Sequence, residues 1–251
     1  MMKKIAIYIL IAFSALISQA QAKFVQAGKI EYERKINVHR QFDGRGDDSE
    51  WIKEYLSKLQ KFHTTYFDLY FEGNKTSYKP GRETDDSKKT QNLWGIGPAK
   101  ENVVAVDLDK KEIKSLKSVF EQTFLVSDTA SQFEWKISQE TRTIAGFECH
   151  KAVTKICDSV YVVAFFTQEI TVSGGPESFH GLPGMILGIA IPRLYTTWYA
   201  TKVELIQPAP SEFTIPTKGK KTDEKQLLLT LKTSFKEWGK DGQRYMWWTL
   251  L

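Results

Sequence analysis

From Gly28 the chain alternates. Ile30, Tyr32 and Arg34 fall on one side, Glu31, Glu33 and Lys35 on the other, and Ile36 and Val38 continue the first set. A period of two over that length predicts a long, half-exposed strand reaching Phe42. Gly44-Arg45-Gly46-Asp47-Asp48 interrupts it. The period then changes. Trp51, Tyr55, Leu59 and Phe62 recur at i, i+4, i+8 and i+11 with Lys and Glu opposite, which predicts an amphipathic helix over 49–62 with Asp48 or Ser49 as N-cap.

From Thr64 the alternation returns. Thr65 to Glu72, the turn signal Gly73-Asn74 and Lys75 to Lys79 predict a hairpin. Pro80 to Asn92 is polar and turn-rich and reads as a loop. Val103 to Leu108, a turn near Asp109-Lys110 and Glu112 to Val126 predict a second hairpin. Further extended segments are expected at Phe133 to Ile137, Thr143 to Ile156, Ser159 to Ile170, Ile186 to Ile191 and Thr196 to Ile206. The gaps between them are too short for parallel crossovers, which need a dozen residues or more, so the pairing should be antiparallel and meander-like. Pro208 and Pro210 stop the last clear strand. Leu228, Leu231, Phe235 and Trp238 then mark one face of a second amphipathic helix, with Thr222 as its candidate N-cap and Gly239 as its stop. The tail from Tyr245 to Leu251, with Trp247-Trp248, is apolar enough to need a strand, a groove or a partner to cover it.

These elements predict a mostly β, α+β domain: a curved antiparallel sheet or partly open β-barrel of about nine to eleven strands with two amphipathic helices packed on it. The start of the chain has a different pattern. Lys3 and Lys4 precede an apolar run from Ile5 to Ile17, and Ala20-Gln21-Ala22 precedes Lys23. A charged start, a short apolar core and an A-x-A site are the parts of a secretory signal peptide over residues 1–22, leaving 23–251 as one β-rich domain. The run is shorter than the roughly 20 apolar residues of a membrane-spanning helix, and no later segment reaches that length. No cysteine follows the cleavage point to accept a lipid. A soluble periplasmic or secreted product is expected.

Charge and cysteine content narrow the chemistry. The formal net charge is +5 with the leader and falls by two when Lys3 and Lys4 are removed. Both signs are mixed along the chain, and no basic stripe suggests nucleic acid. Lys218 to Lys221 is the densest basic cluster and reads as a solvated loop. Cys149 and Cys157 are the two cysteines. On one strand they stand ~26 Å apart at about 3.3 Å per residue, whereas a disulfide needs Cα atoms within roughly 7 Å. A bridge would require that strand to end early, or a partner chain. The sequence has no G-x-S-x-G, H-E-x-x-H, P-loop or C-x-x-C, and no cofactor motif. Cys149, His180 and Met185 form the credible soft or imidazole metal set. Cys149 could act as a nucleophile only if folding brings it to a base such as His180.

One segment stands apart, from Gly174 to Gly188. Leu182-Pro183-Gly184 suits a type II turn, and Gly174-Gly175-Pro176 makes a second bend. Between them Phe179 can point inward while Glu177 and His180 stay polar. The shaped backbone makes Pro176, Phe179, His180, Gly181, Leu182, Pro183, Gly184 and Met185 the candidate binding residues.

At this segment the chain resembles the GLPGLI family. The motif reads Gly181-Leu182-Pro183-Gly184-Met185-Ile186, with Met185 at the family's leucine. Trp135-Lys136-Ile137 and Gly146-Phe147-Glu148-Cys149-His150-Lys151-Ala152 are similar to its W-K-I and G-x-x-C-x-K-A stretches. Phe165-Phe166-Thr167-Gln168-Glu169-Ile170 stands in its W-Y-T-x-x-I place, with Thr171 replacing a proline. The resemblance covers about residues 120 to 205. It implies an exported, β-rich envelope protein considered alongside outer-membrane TonB-dependent receptors. It implies no activity and supplies no catalytic residue.

The functional expectation is therefore a non-enzymatic binding or accessory protein of the envelope. It would hold an apolar small molecule or a segment of an envelope or outer-membrane protein on its concave side, with the motif loop at the rim. Two other classes stay open. One is an enzyme or metal-handling protein using Cys149 and His180. The other is a structural protein that interacts through a sheet edge or the Tyr245 to Leu251 tail.

Overall fold

The computed structural model describes residues 24–42, 50–85, 99–119, 121–130, 132–157, 159–215 and 217–251. The leader at 1–22 lies outside them, as do Asp48, Ser49 and the loop residues 86–98. The strand β1 (Ala27–Asn37) sits mid-sheet. From it the chain meanders outward through β2 (Phe62–Glu72), β3 (Lys75–Pro80), β4 (Val103–Asp107), β5 (Glu112–Val119) and β6 (Gln122–Thr129). It then crosses to the far end of the sheet. From there it returns through β7 (Lys136–Ile144), β8 (Phe147–Ile156), β9 (Val160–Thr167), β10 (Met185–Ile191) and β11 (Thr196–Glu204), which pairs with β1. A three-residue strand, β12 (Lys220–Thr222), runs parallel to β6; every other pair is antiparallel.

The mostly β, curved and open antiparallel architecture is as the alternation predicts, with twelve strands. The count exceeds expectation because β12 forms where a loop was expected and one expected strand divides into β5 and β6, while a second weakly signalled reversal moves the boundary between β7 and β8. Val119 pairs with Gln122, dividing the stretch expected as one strand from Glu112 to Val126, and no Gly, Pro, Asn or Asp marks the reversal. Ile144 pairs with Phe147 across Ala145 and Gly146, both left-handed with φ of 50° and 88°. Two successive left-handed residues are what a tight hairpin needs, but Ala is an uncommon choice for the first.

The inner face of the sheet carries the core. Ile30, Tyr32, Arg34 and Ile36 of β1 are all buried, facing Phe67, Leu69 and Phe71 of β2, Tyr78 of β3 and Trp198 of β11. β10 is buried on both faces apart from Ala190, as its unbroken apolar run requires. β8 runs without interruption from Phe147 to Ile156, and no disulfide joins Cys149 to Cys157.

The helices depart most from expectation. There are three among the described residues. α1 (Glu50–Ser57) is shorter than predicted and buries no residue; Trp51 stays 60% exposed, its ring tilted against that of Tyr55. Phe62 belongs to β2 instead. α2 (Glu224–Ser234) is capped by Asp223, whose side chain accepts from the Gln226 N–H at 2.7 Å, so Thr222 ends β12 and is not the cap. Its Leu227 and Leu231 pack with Phe235 on Val119, Phe124 and Val126 of β5 and β6. Gly239, expected as a stop, opens α3 (Gly239–Leu250), and the apolar tail is this helix. Trp248 and Leu251 are buried in the main core, Trp248 against Trp198 with ring centroids 6.0 Å apart. No helix among the described residues is long and apolar enough to cross a membrane.

Trp248→Ala should lower stability by about 3–5 kcal/mol, the range for emptying a buried aromatic site. Asp223→Ala should cost about 1 kcal/mol through loss of a helix cap. Urea unfolding followed by tryptophan fluorescence, with circular dichroism for the α2 variant, measures both; equal losses would contradict this division between core and cap.

Candidate functional site

The corner between β9 and β10 is held by backbone bonds to its neighbours. Val25 N donates to Glu169 O at 3.0 Å and Thr171 N donates to Val25 O at 3.1 Å, so the start of the described chain pins its first arm. Met185 N reaches Ile170 O at 3.0 Å and Ile186 N reaches Gly174 O at 2.8 Å. Leu182-Pro183-Gly184 is therefore not a type II turn. The Met185 N–H that would close one is committed to Ile170, and Gly184 N donates to Leu182 O at 2.8 Å in a tighter turn. A Cβ on Gly184, which has φ of 143°, would stand 2.0 Å from Thr167 O. Only glycine lets the two strands meet there.

The corner is an inward plug. Pro176, Phe179, His180, Leu182, Gly184 and Met185 are buried, and only Gly181 and Pro183 reach the surface. Phe179 and the edge of the His180 ring pack on Phe133, each 5.3 Å away, in the crossing from β6 to β7. Trp135 Nε1 donates to His180 O at 2.8 Å, and His180 Nδ1 donates to Ser178 O at 2.7 Å. The shaped backbone expected at a rim thus serves to close the interior.

Glu177 was expected to stay polar at the surface. It is instead 2% exposed and held in a left-handed conformation, φ 54°. Asn102 Nδ2 donates to Glu177 Oε2 at 2.8 Å, and the Tyr78 hydroxyl lies 3.4 Å from Oε1. Trp198 Nε1 in turn donates to the Tyr78 hydroxyl at 3.2 Å. Two buried cations complete the group. Arg34 donates through Nε to Thr65 Oγ1 and through Nη1 to Ala99 O, lying over Phe67 and Trp248. Lys117 Nζ donates to Thr249 O of α3 at 2.8 Å. Burial pushes the Glu177 carboxyl above the ordinary range, against the pull of Arg34, Asn102 and Lys117. Burial also lowers the Lys117 ammonium. Sequence reasoning overlooked this cluster, although Arg34 interrupts the apolar face of β1, which was its one visible sign.

The cavity bordering Lys117, Ser178, His180 and Thr249 has a volume of about 130 Å³. Ligand sites usually offer about 300–1,000 Å³, so this cavity, lined by the corner and α3, is smaller than a ligand site. The Cys149 chemistry also loses its basis. The thiol is fully buried, and burial pushes it up to about 11, which leaves little thiolate at neutral pH. Cys149 Sγ points to Phe147 O while His180 is committed to Ser178 and Phe133, and Met185 lies in β10. Among the described residues no group of three or more His, Cys, Asp or Glu side chains is placed to hold a metal.

A second concavity lies on the opposite face of β3–β6. Thr76 abuts Gly174 of the corner, so Thr76 and Tyr78 face inward and alternation turns their neighbours outward. Pairing then builds outward rows: Lys75, Asp107 and Glu112; Ala105, Lys114 and Ser127; and Leu125 with Lys221 of β12. With Phe213 and Ile215 these rows enclose a trough of about 860 Å³.

Comparison with known proteins agrees with the fold and leaves the chemistry open. A family model described as a protein of unknown function (Porph_ging) matches residues 154–188, which span the end of β8, β9, the corner and the start of β10. No curated protein matches the chain. The structure of PNGF-II, in C2 and P21 space groups, superposes with a TM-score of 0.51 at 17% identity over 80% of this chain and 32% of that one. This chain therefore spans about a third of the length of that relative, and the likeness shows the fold alone. An uncharacterized conserved protein from Thermus thermophilus aligns over 85% of this chain and 99% of that one at 7% identity with a TM-score of 0.40.

His63 gives the cluster a pH signature. Burial and the nearby Arg34 and Lys100 charges lower it from 6.5 to about 4. A depressed histidine contributes stability that is present above pH 6.5 and lost as pH falls toward 4, a loss on the order of 3 kcal/mol. Urea titrations between those pH values should show a steeper acid decline in the natural protein than in His63→Gln. Parallel declines would place the proton elsewhere. Glu177, raised by burial, has the opposite sign, so stability relative to Glu177→Gln should fall as pH rises above 4.5.

Proposed function

We propose that this chain is an exported, non-enzymatic binding protein of the bacterial envelope, of the GLPGLI type, whose ligand sits in the outer trough. The leader pattern and the motif resemblance support the compartment, and the same resemblance supports an accessory role beside outer-membrane transport. The observation that carries the binding site is the contrast between the two concavities: about 130 Å³ beside the buried cluster and about 860 Å³ on the outer face. Burial of Glu177 at the corner and of the Cys149 thiol in β8 argues against chemistry at either group, because a reacting group must meet its substrate within hydrogen-bond reach.

Protein purified from its native envelope should begin at Lys23 and carry a bound small molecule in native mass spectrometry. Ala105→Trp, which fills the trough floor, should remove that adduct while leaving the unfolding midpoint nearly unchanged. An adduct that survives Ala105→Trp and disappears only when α3 is disrupted by Trp248→Ala would return the site to the concave side.

A further inference from the structure

We infer that the trough accepts a single-chain amphiphile with an anionic head group; this rests on the trough being the ligand site. Its floor is apolar, formed by Ala105 and Leu125 from the sheet and by Phe213 and Ile215 from the short helical turn Pro210–Phe213 and the segment that follows it. Its margin is basic, with Lys75, Lys110, Lys114 and Lys221 against Asp107 and Glu112. The carboxylates answer this charge weakly. Asp107 is shared between Lys75 at 3.9 Å and Lys110 at 3.7 Å, and Lys114 meets Glu112 at 3.6 Å. Exposed pairs of this length contribute little. Lys221 makes no ion pair among the described residues. Lys221, in the lysine-rich stretch 218–221 that by sequence alone reads as a solvated loop, is thereby placed at the margin of a cavity, since β12 pairs it with Leu125.

An apolar floor with a surplus of flexible cations favours a ligand that is oily along its length and negative at one end. Lysine suits this, since its stem covers apolar surface while the ammonium stays in water and can swing onto a head group. An acidic peptide fits less well. The floor strands already pair with one another, β3 with β4, β4 with β5 and β5 with β6. An extended peptide laid across the floor would find no free edge among these four strands to satisfy its backbone, whereas an alkyl chain brings no backbone polar groups. The volume lies within the usual range for small-molecule sites.

The test is titration calorimetry of the full chain with sodium dodecanoate, dodecyltrimethylammonium and dodecyl maltoside, each below its micelle concentration. Dodecanoate should bind one to one, and more tightly than either of the others. The double variant Lys114→Glu/Lys221→Glu should weaken dodecanoate binding on the order of ten-fold. Ala105→Trp should abolish it, with Ser127→Trp as a second filler in case the first perturbs folding, and circular dichroism checks both. If dodecyl maltoside binds as tightly as dodecanoate, or charge reversal leaves binding unchanged, the anionic head group is wrong while the trough survives as a neutral apolar site. If none of the three binds, or both fillers leave binding intact, the trough is not the ligand site.

Discussion

A carboxylate taken out of water costs several kcal/mol unless the protein replaces its solvation, and that requirement organises the interior around Glu177. Asn102 and Tyr78 supply hydrogen bonds, and Arg34 and Lys117 supply charge. These partners come from β1, β3, β5 and the residue before β4, whereas Glu177 comes from the corner between β9 and β10. One buried group therefore ties the first meander to the second. The Trp198 bond to the Tyr78 hydroxyl extends the tie to β11, the strand that already pairs with β1. The left-handed backbone at Glu177 is the local strain accepted to aim its side chain inward.

The C-terminal helix completes the same arrangement. α3 is anchored at a few points: Trp248 against Trp198 and Arg34, the Thr249 carbonyl on Lys117, and the Leu251 carbonyl on Ser178 Oγ at 2.8 Å. By excluding water it lowers the local dielectric and strengthens each bond beneath it, while making any unpaired donor costly. Arg34 Nη2 and Trp248 Nε1 are such donors, both buried without a partner. The cluster is thus closed from above by α3 and from the side by Phe179, which explains why a corner rich in glycine and proline serves as a plug.

The strands were legible because one face of the sheet is core and the other is solvent, so Ile30, Tyr32 and Ile36 announce themselves by period two. Reversals were legible at Gly73-Asn74 and Asp109-Lys110, where turn residues cluster, and missed at Ala145-Gly146, inside a run of apolar residues, and between Val119 and Gln122, where no turn residue stands. Helix α2 was found through Leu231 and Phe235, but its continuation into α3 was hidden because Gly239 reads as a stop. The motif segment stands out in sequence as shaped; its burial was not readable, because whether Glu177 points to solvent or to Asn102 and Tyr78 depends on bonds spanning 75 and 99 positions. The trough was likewise unreadable. Ala105, Lys114 and Ser127 become neighbours only through the register of three strands.

That register also explains how one set of strands serves two unlike surfaces. On β5, Lys114 and Lys117 are three residues apart and so lie on opposite faces. Lys117 faces α3, loses its water and donates to the Thr249 carbonyl, and burial lowers its ammonium. Lys114 faces outward, keeps its hydration and is held only by a long contact to Glu112. The first lysine is committed to stability, because removing it would orphan both a buried carbonyl and part of the charge facing Glu177. The second is held so loosely that an external anion can compete for it. The same division separates Thr76 and Tyr78 from Lys75 on β3. The corner and the C-terminal tail cover the inner face, whereas the outer face sets an apolar floor beside exposed lysines, of which Lys221 makes no ion pair among the described residues.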